Sequence, residues 1–259
     1  MKIPLLITID LEEFDIPEEY GQRLDWSTKC AITNEGLARL LPILDKYDAK
    51  VTFFTTGAYA KANTEGVKML AQKHEIASHA LNHSSFDESD YAASKIVLEN
   101  ITGQTIRGFR MPRLRPVDYN VLKDNGYTYD ASLNPTWLPG RYNKLTSPKK
   151  PFHNGFVHIL PSSVTPLLRF PFFWLSFKNL PLWGNKCLFN RVKHNGLLVF
   201  YIHPWEFADI SRFDLPNYVK KVNGEALAKK FDLFMAYIAT KGHFMTCSEY
   251  LYPESPIRV

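Results

Sequence analysis

Short apolar runs alternate with segments of helical period along this chain. Residues 5–9 form a run of the length of one buried strand. Over 33–46 the period changes: Leu37, Leu40, Leu41 and Leu44 share one helical face, and Thr33 stands where a cap belongs. Residues 51–55 are β-branched and aromatic and predict the next strand. The pattern then predicts a helix over 64–73, a strand over 75–78, a helix over 89–102, a strand end at 108–110, a helix over 117–125 stopped by Gly126, and a strand over 127–130. A strand over 197–202, a helix over 224–240 and a last strand over 243–246 follow. This βαβα alternation predicts a parallel sheet covered by crossover helices, an α/β fold.

One region breaks the rhythm. Residues 133–195 are rich in proline and aromatic residues and have no clean period. They read as a long irregular excursion across the mouth of the fold, ordered because of their aromatic content. No repeat or low-complexity segment is evident. A length of 259 residues, 45% of them apolar, suits one large domain spanning 1–259.

Charge narrows the partners only slightly. The formal balance of +5, from 31 basic and 26 acidic residues, permits anionic glycans, sugar phosphates or a lipid surface. No dense basic run or nucleic-acid motif is present, so no nucleic-acid partner is expected. Cys30, Cys187 and Cys247 are odd in number and far apart, which gives neither a disulfide framework nor a cysteine zinc site. Buried free thiols in a reducing compartment are predicted. The first apolar run is short, interrupted by Pro4 and followed at once by acids, so it reads as a strand and not as a signal peptide. No stretch reaches the roughly 18 apolar residues needed to cross a bilayer. A cytoplasmic protein is the expectation.

The candidate chemistry sits at the ends of the apolar runs, where parallel α/β folds place their sites. His79 and His83, four apart, would share a face of a helical turn and could converge on one metal ion. Alone, such a pair is commonly a solvated helix surface. The cluster Asp10-Leu11-Glu12-Glu13 directly follows the first run, and His203 directly follows the run over 197–202. Two histidines and a carboxylate from separate parts of a chain make a plausible metal donor set.

The order of these motifs resembles a known family. Asp10-Leu11-Glu12, His79-x-x-x-His83, Gly108-Phe109-Arg110-Met111-Pro112, Tyr129-Asp130-Ala131-Ser132-Leu133 and Tyr201-Ile202-His203-Pro204 follow one another as in the polysaccharide deacetylases of the NodB-homology type, carbohydrate esterase family 4. The stretches 134–143 and His203-Pro204-Trp205-Glu206 resemble a branch serving exopolysaccharide or surface-glycan synthesis. The resemblance runs from about residue 5 to about residue 250. It implies a distorted (β/α)7 barrel and metal-assisted hydrolysis of an N-acetyl group from a sugar or glycan, usually with zinc.

Residue roles follow from the resemblance. His79 and His83 would be metal ligands, and Asp10 the general base held by Arg110. Relatives often carry two adjacent aspartates here. This chain has Glu12 two positions after Asp10, on the same face of an extended chain, and it is favoured over Glu13 as the third ligand. His203 would protonate the leaving amine, with Asp130 orienting it. Pro112 would shape the groove, and the Arg113 backbone N–H would stabilise an oxyanion, leaving its side chain free for an anionic substrate group. Trp137 and Trp205 would be sugar-stacking walls or core residues.

Three other readings compete. Some relatives of this fold hydrolyse cyclic amides or ureides, in some cases without metal, and others deformylate lipid-linked amino sugars. The aromatic stretch 167–178, flanked by bases, could rest on a membrane surface, although a loop packed over the barrel is the favoured reading. An inactive glycan-binding barrel is the third, with Glu12 as its warning sign.

Overall fold

The computed structural model describes residues 2–254. Strand β1 (Ile3–Leu11) is followed by α1 (Trp26–Lys46), β2 (Thr52–Thr55), α2 (Gly57–Ala62), α3 (Thr64–Ala71), β3 (Glu75–Ser78), α4 (Asp90–Thr102), β4 (Gly108–Phe109), α5 (Tyr119–Asp124) and β5 (Tyr129–Asp130). Two antiparallel hairpins come next, β6 (Trp137–Leu138) with β7 (Tyr142–Asn143) and β8 (Phe152–His153) with β9 (His158–Ile159). Helices α6 (Trp174–Asn179) and α7 (Leu182–Val192) lead to β10 (Leu198–Ile202). The described chain ends with α8 (Asn217–Lys220), α9 (Gly224–Ala239), β11 (Gly242–Phe244) and α10 (Cys247–Leu251).

The main sheet runs β10-β1-β2-β3-β4-β5-β9-β8, with β11 beside the start of β1. Every pairing in it is parallel except β8 with β9. The sheet curls into a distorted barrel. Among the described residues no strand pairing joins β9 to β10. Irregular chain bridges the gap, with Ser163 N–H donating to the Val199 carbonyl and Val199 N–H to Ser163 Oγ, both at 2.9 Å.

Period two along the strands sorts the core into layers. In β1, Leu5, Ile7, Ile9 and Leu11 pack outward against the helices, while Leu6 packs inward with Phe54, Ala77, Tyr129 and Val199. Thr8 and Asp10 share the parity of Leu6, so they continue the barrel interior upward. In β10, Leu198, Phe200 and Ile202 face the helices and Val199 faces in. Tyr201 and His203 continue that inner row. The barrel is therefore apolar at its floor and polar at the C-terminal end of its strands.

The structure departs from the expectations in five places. Helix α1 begins at Trp26, not Thr33, because Asp25 accepts from the Thr28 N–H at 2.7 Å and from the Ser27 and Thr28 hydroxyls. Thr33 lies buried inside the helix and donates to the Glu12 carbonyl at 2.7 Å. His79 and His83 lie in a loop after β3 and not on a helix. There the chain turns at Ala80, φ 64°, and gives the Ala80 and Leu81 carbonyls to the first amides of α2. The stretch 133–195 is not irregular throughout, since it carries two hairpins and α6 and α7, and its β9 extends the sheet beside β5. The stretch 167–178 splits: Phe172, Phe173 and Phe177 are buried over the barrel, whereas Leu167, Leu168 and Phe170 are exposed. Finally, Cys30 and Cys247 are buried free thiols but Cys187, on α7, is exposed. No helix among the described residues is long and apolar enough to cross a membrane.

Candidate active site and metal centre

Neighbouring strands deliver the site. Asp10 lies in β1 and Glu12 just beyond its end. His79 follows β3, Arg110 follows β4 and His203 follows β10. The Nε2 atoms of His79 and His83 lie 3.1 and 2.9 Å from Glu12 Oε2, and the three ligand atoms are within 4.8 Å of one another. All three side chains are buried. The opposite ring nitrogens are already committed: His79 Nδ1 donates to the Arg110 carbonyl at 2.7 Å and His83 Nδ1 to Asp15 Oδ2 at 2.8 Å. These bonds fix each ring so that Nε2 faces the centre, as the outer partners of metal-binding histidines do. Two imidazole nitrogens and one carboxylate oxygen with their outer bonds satisfied fit a divalent ion of the zinc type. Glu13 is turned away and accepts from Thr56 Oγ1 at 3.0 Å.

Beside this cluster, Arg110 is fully buried. Its Nη1 donates to Asp10 Oδ1 at 2.5 Å and to Thr8 Oγ1 at 3.0 Å, and its Nε to the Ala131 carbonyl at 3.0 Å. The pairing with Asp10 is through one nitrogen. His203 Nε2 stands 3.8 Å from Asp10 Oδ2 and 4.0 Å from Glu12 Oε1. Its Nδ1 meets Glu206 Oε1 at 3.1 Å, and Glu206 Oε2 is paired at 3.4 Å with Lys178, a lysine buried beneath the site. The His203 ring stacks on Trp205 at 4.9 Å between centroids and meets Trp174 edge-on. The Trp205 indole N–H donates to Glu12 Oε1 at 3.2 Å.

The charges at the centre oppose one another. Burial pushes the Glu12 carboxyl up, but His83, His79 and His203 more than reverse this and hold it well below its ordinary value. Burial would lower His83, yet the Glu12 and Asp15 carboxylates raise it well above the ordinary histidine value. His203 is likewise raised: burial opposes its charge, but the Glu206 hydrogen bond and the charges of Glu12, Glu206 and Asp10 outweigh it. A proton and a cation would compete for the same His83 nitrogen.

The structure corrects several assignments. Asp130 does not reach His203. Its Oδ1 accepts from the Ser132 N–H at 3.2 Å and from the Ser132 hydroxyl, its Oδ2 has no partner, and burial pushes its carboxyl up to about 6. Glu206 occupies the orienting position instead. The Arg113 side chain is not free: it pairs with Asp15 Oδ2 and Glu19 Oε1, each at 3.2 Å. Trp137 is 59% exposed and lies outside the cavity lining, because its neighbour Leu138 takes the inward position on β6. Trp205 is buried and acts on Glu12 and His203, so it offers no open stacking face. Pro112 is buried and opens the short turn that carries Arg113 at φ 57°.

Asp15, Glu206, Lys178 and Trp174 were not anticipated. Asp15 extends the acidic cluster after β1, and Glu206 stands three residues after His203, so both had a signal in their spacing. Lys178 and Trp174 had none. A cavity of about 280 Å³ opens over the cluster. Leu138 and Tyr142 of the β6–β7 hairpin, Trp174, Arg113 and Tyr218 are among its walls.

A sequence profile of the family described as polysaccharide deacetylase matches residues 30–129. The match points to the polysaccharide deacetylase family. It includes His79, His83 and Arg110 and stops short of Asp10, Glu12 and His203. A stretch of 51 residues is 43% identical to the uncharacterized protein YlxY of Bacillus subtilis (strain 168), covering 19% of this chain and 16% of that protein. A stretch of 108 residues is 26% identical to the peptidoglycan deacetylase of Helicobacter pylori, covering 38% of this chain and 37% of that one. These aligned parts are thus well under half of either relative.

Solved structures agree in fold over almost the whole chain. A protein from Mycobacterium smegmatis described as a polysaccharide deacetylase superposes with TM-score 0.66 at 19% identity, covering 99% of this chain and 93% of that one. An allantoinase reaches 0.61 at 15% identity, with coverage of 98% and 92%. A CE4 family pseudoenzyme from Bacillus anthracis reaches 0.53 at 17%, with coverage of 96% and 66%. At such identities the likeness is one of fold.

Proposed function

We propose that this protein is a divalent-metal-dependent deacetylase that hydrolyses the N-acetyl group of an amino sugar in a glycan. What carries the reading is the convergence of His79 and His83 Nε2 on Glu12, with Asp10 and His203 facing the same cavity and within 4.0 Å of one another or of Glu12. Glu12, His79 and His83 would hold the ion. Bound there, zinc would supply Lewis acidity toward the acetyl carbonyl and acidify a water molecule.

The chain's own groups supply the proton transfers. Asp10 takes the proton of the attacking water, and Arg110, buried and bonded to one of its oxygens, keeps that carboxylate aimed. The Arg113 backbone N–H donates to the oxyanion. His203, its hold on a proton strengthened by Glu206, delivers that proton to the leaving nitrogen as the carbon–nitrogen bond breaks, giving acetate and a free amine.

The deciding experiment is metal content of gently purified protein, followed by acetate release from a panel of N-acetylated sugars with and without chelator. About one zinc per chain, with release abolished by chelator and restored by zinc, is expected. Asp10→Asn should keep the metal and lose turnover by about 10²–10⁴-fold. Chelator-resistant hydrolysis of a cyclic amide or ureide would replace this reading with that of the allantoinase-like members of the fold. Stoichiometric metal without turnover on any substrate would replace it with a glycan-binding barrel.

A further inference from the structure

Charge is distributed unevenly along the chain. From residue 131 to residue 205 there is no Asp or Glu at all, while Arg141, Lys144, Lys149, Lys150, Arg169, Lys178, Lys186, Arg191 and Lys193 give nine positive charges. The whole chain has 31 basic and 26 acidic residues, so the remainder has 22 and 26 and is net negative. Lys178 is buried against Glu206 and Arg141 is paired with Glu19 at 2.7 Å; the other seven have no acidic neighbour within the segment itself.

The same segment exposes apolar side chains. Leu167 and Leu168 are 93% and 82% exposed, and Trp137, Leu145, Phe156, Phe170 and Trp183 also stand open to solvent. Adjacent leucines at this exposure are unusual on a water-facing surface. The tip is built, not loose. Val164 pairs with Pro171 at its base, and the Thr165 N–H donates to the Phe170 carbonyl at 2.9 Å. Arg169 adopts φ 50° and its guanidinium turns inward to the Pro135 and Ser147 carbonyls, at 3.2 and 2.8 Å. That anchor leaves the two leucines pointing outward. Lys149 Nζ holds the Pro166 carbonyl at 2.5 Å, which places a cation at the foot of the tip. The Asn195 side chain bonds the Val164 carbonyl at 3.1 Å, joining the basic end of α7 to the same stem.

We infer that this face docks on an anionic lipid bilayer, with Leu167 and Leu168 entering the interface and the surrounding lysines and arginines meeting the headgroups. The leucines select a bilayer over a soluble polyanion, since apolar side chains gain nothing from a dissolved chain of charges, whereas an apolar tip with a cation at its foot, on an acid-free segment, matches the layering of an anionic membrane surface. The docking face also frames the cavity. Leu138 and Tyr142 from the adjoining hairpin and Phe173, Trp174 and Leu175 from the far end of the tip line it. A docked molecule would draw its substrate from the membrane surface.

The test is co-sedimentation of the full chain with phosphatidylglycerol–phosphatidylcholine vesicles and with pure phosphatidylcholine vesicles. It reads binding alone and so stands or falls separately from any catalytic assignment. Binding to the anionic vesicles, weakened by salt and by Lys149→Glu/Lys150→Glu, is expected. Leu167→Ser/Leu168→Ser should lose at least about tenfold in affinity with an unchanged melting temperature. No sedimentation with anionic vesicles overturns the inference. So does wild-type-like binding by the leucine variant, particularly if soluble heparin competes fully, which would make the partner a polyanion. A dimer that the leucine substitutions dissociate, without vesicle binding, would assign the face to a second copy of the chain.

Discussion

Arg110 acts through both of its ends. Its guanidinium holds Asp10, and its backbone carbonyl receives the Nδ1–H of His79, so one buried residue sets the geometry of the proposed base and of a proposed metal ligand together. His203 is held by a different device, the Glu206 carboxylate with Lys178 behind it. Glu206 raises the affinity of His203 for its proton. Glu206→Gln removes a charge and a hydrogen bond that favour the imidazolium, so the ring should lose its proton at lower pH and the alkaline limb of the kcat profile should move down in pH. Pairing it with Lys178→Met avoids leaving a buried ammonium unpartnered. A limb that stays in place would show that Glu206 acts otherwise. Asp130 makes a separate prediction. Its folded value of about 6 lies above the ordinary 3.8, so the native state keeps a proton that the unfolded chain gives up. Its contribution is intact below the unfolded value and is lost as pH rises through about 6. Asp130→Asn stays neutral, so urea unfolding should find it equal to wild type near pH 4 and more stable by up to about 3 kcal/mol at pH 7. Asp10, Glu12, His79, His83, Arg110 and His203 were legible because each ends or follows a strand with a residue type that has few bland uses there. Asp130 matched the family pattern equally well, yet its position two strands beyond β3 put it beside Ser132 and out of reach of His203, which only three-dimensional order reveals.

At the scale of elements, β1 organises the fold. It pairs with β10 over Leu5–Ile9, with β11 over Ile3–Leu5 and with β2 over Thr8–Leu11, and it ends in the acids of the site. The turn over Pro204–Phe207, which follows His203, is pressed against α1. A Cβ added at Gly36 would come within 1.8 Å of the Pro204 carbonyl oxygen, a backbone atom that cannot swing away. Gly36→Ala should therefore cost about 1–3 kcal/mol by chemical denaturation. Because the displaced turn begins one residue after His203, kcat should fall more than KM changes. The strands were readable from apolar runs, and most boundaries were within two residues. The start of α1 was not, since Asp25 precedes a turn without apolar periodicity. The loop of the candidate metal site reads as a helix in the sequence because the spacing of His79 and His83 suits both. Convergence there comes from the turn at Ala80 and the bonds to Arg110 and Asp15, which leave no periodic trace.

For the molecule as a whole, a bound ion would tie the ends of β1 and β3 together and stabilise only the folded chain. Zinc at about a hundred times its dissociation constant adds about 2.7 kcal/mol. Chelation should then lower the melting temperature by about 5–10 °C in a domain of this size, and His79→Ala should melt at the chelated value whether or not zinc is present. The single α/β layering was evident from the βαβα rhythm. The asymmetry of its surface was not, because the acid-free stretch reads as ordinary until folding places its leucines outside. Cys187 lies on that same basic stretch, on α7 near Trp183, while Cys30 and Cys247 are sealed in the interior. A thiol-reactive fluorophore would therefore mark one helix without any engineering. Its colour and its quenching by lipid-borne acceptors would report, in real time, which side of the barrel a partner approaches.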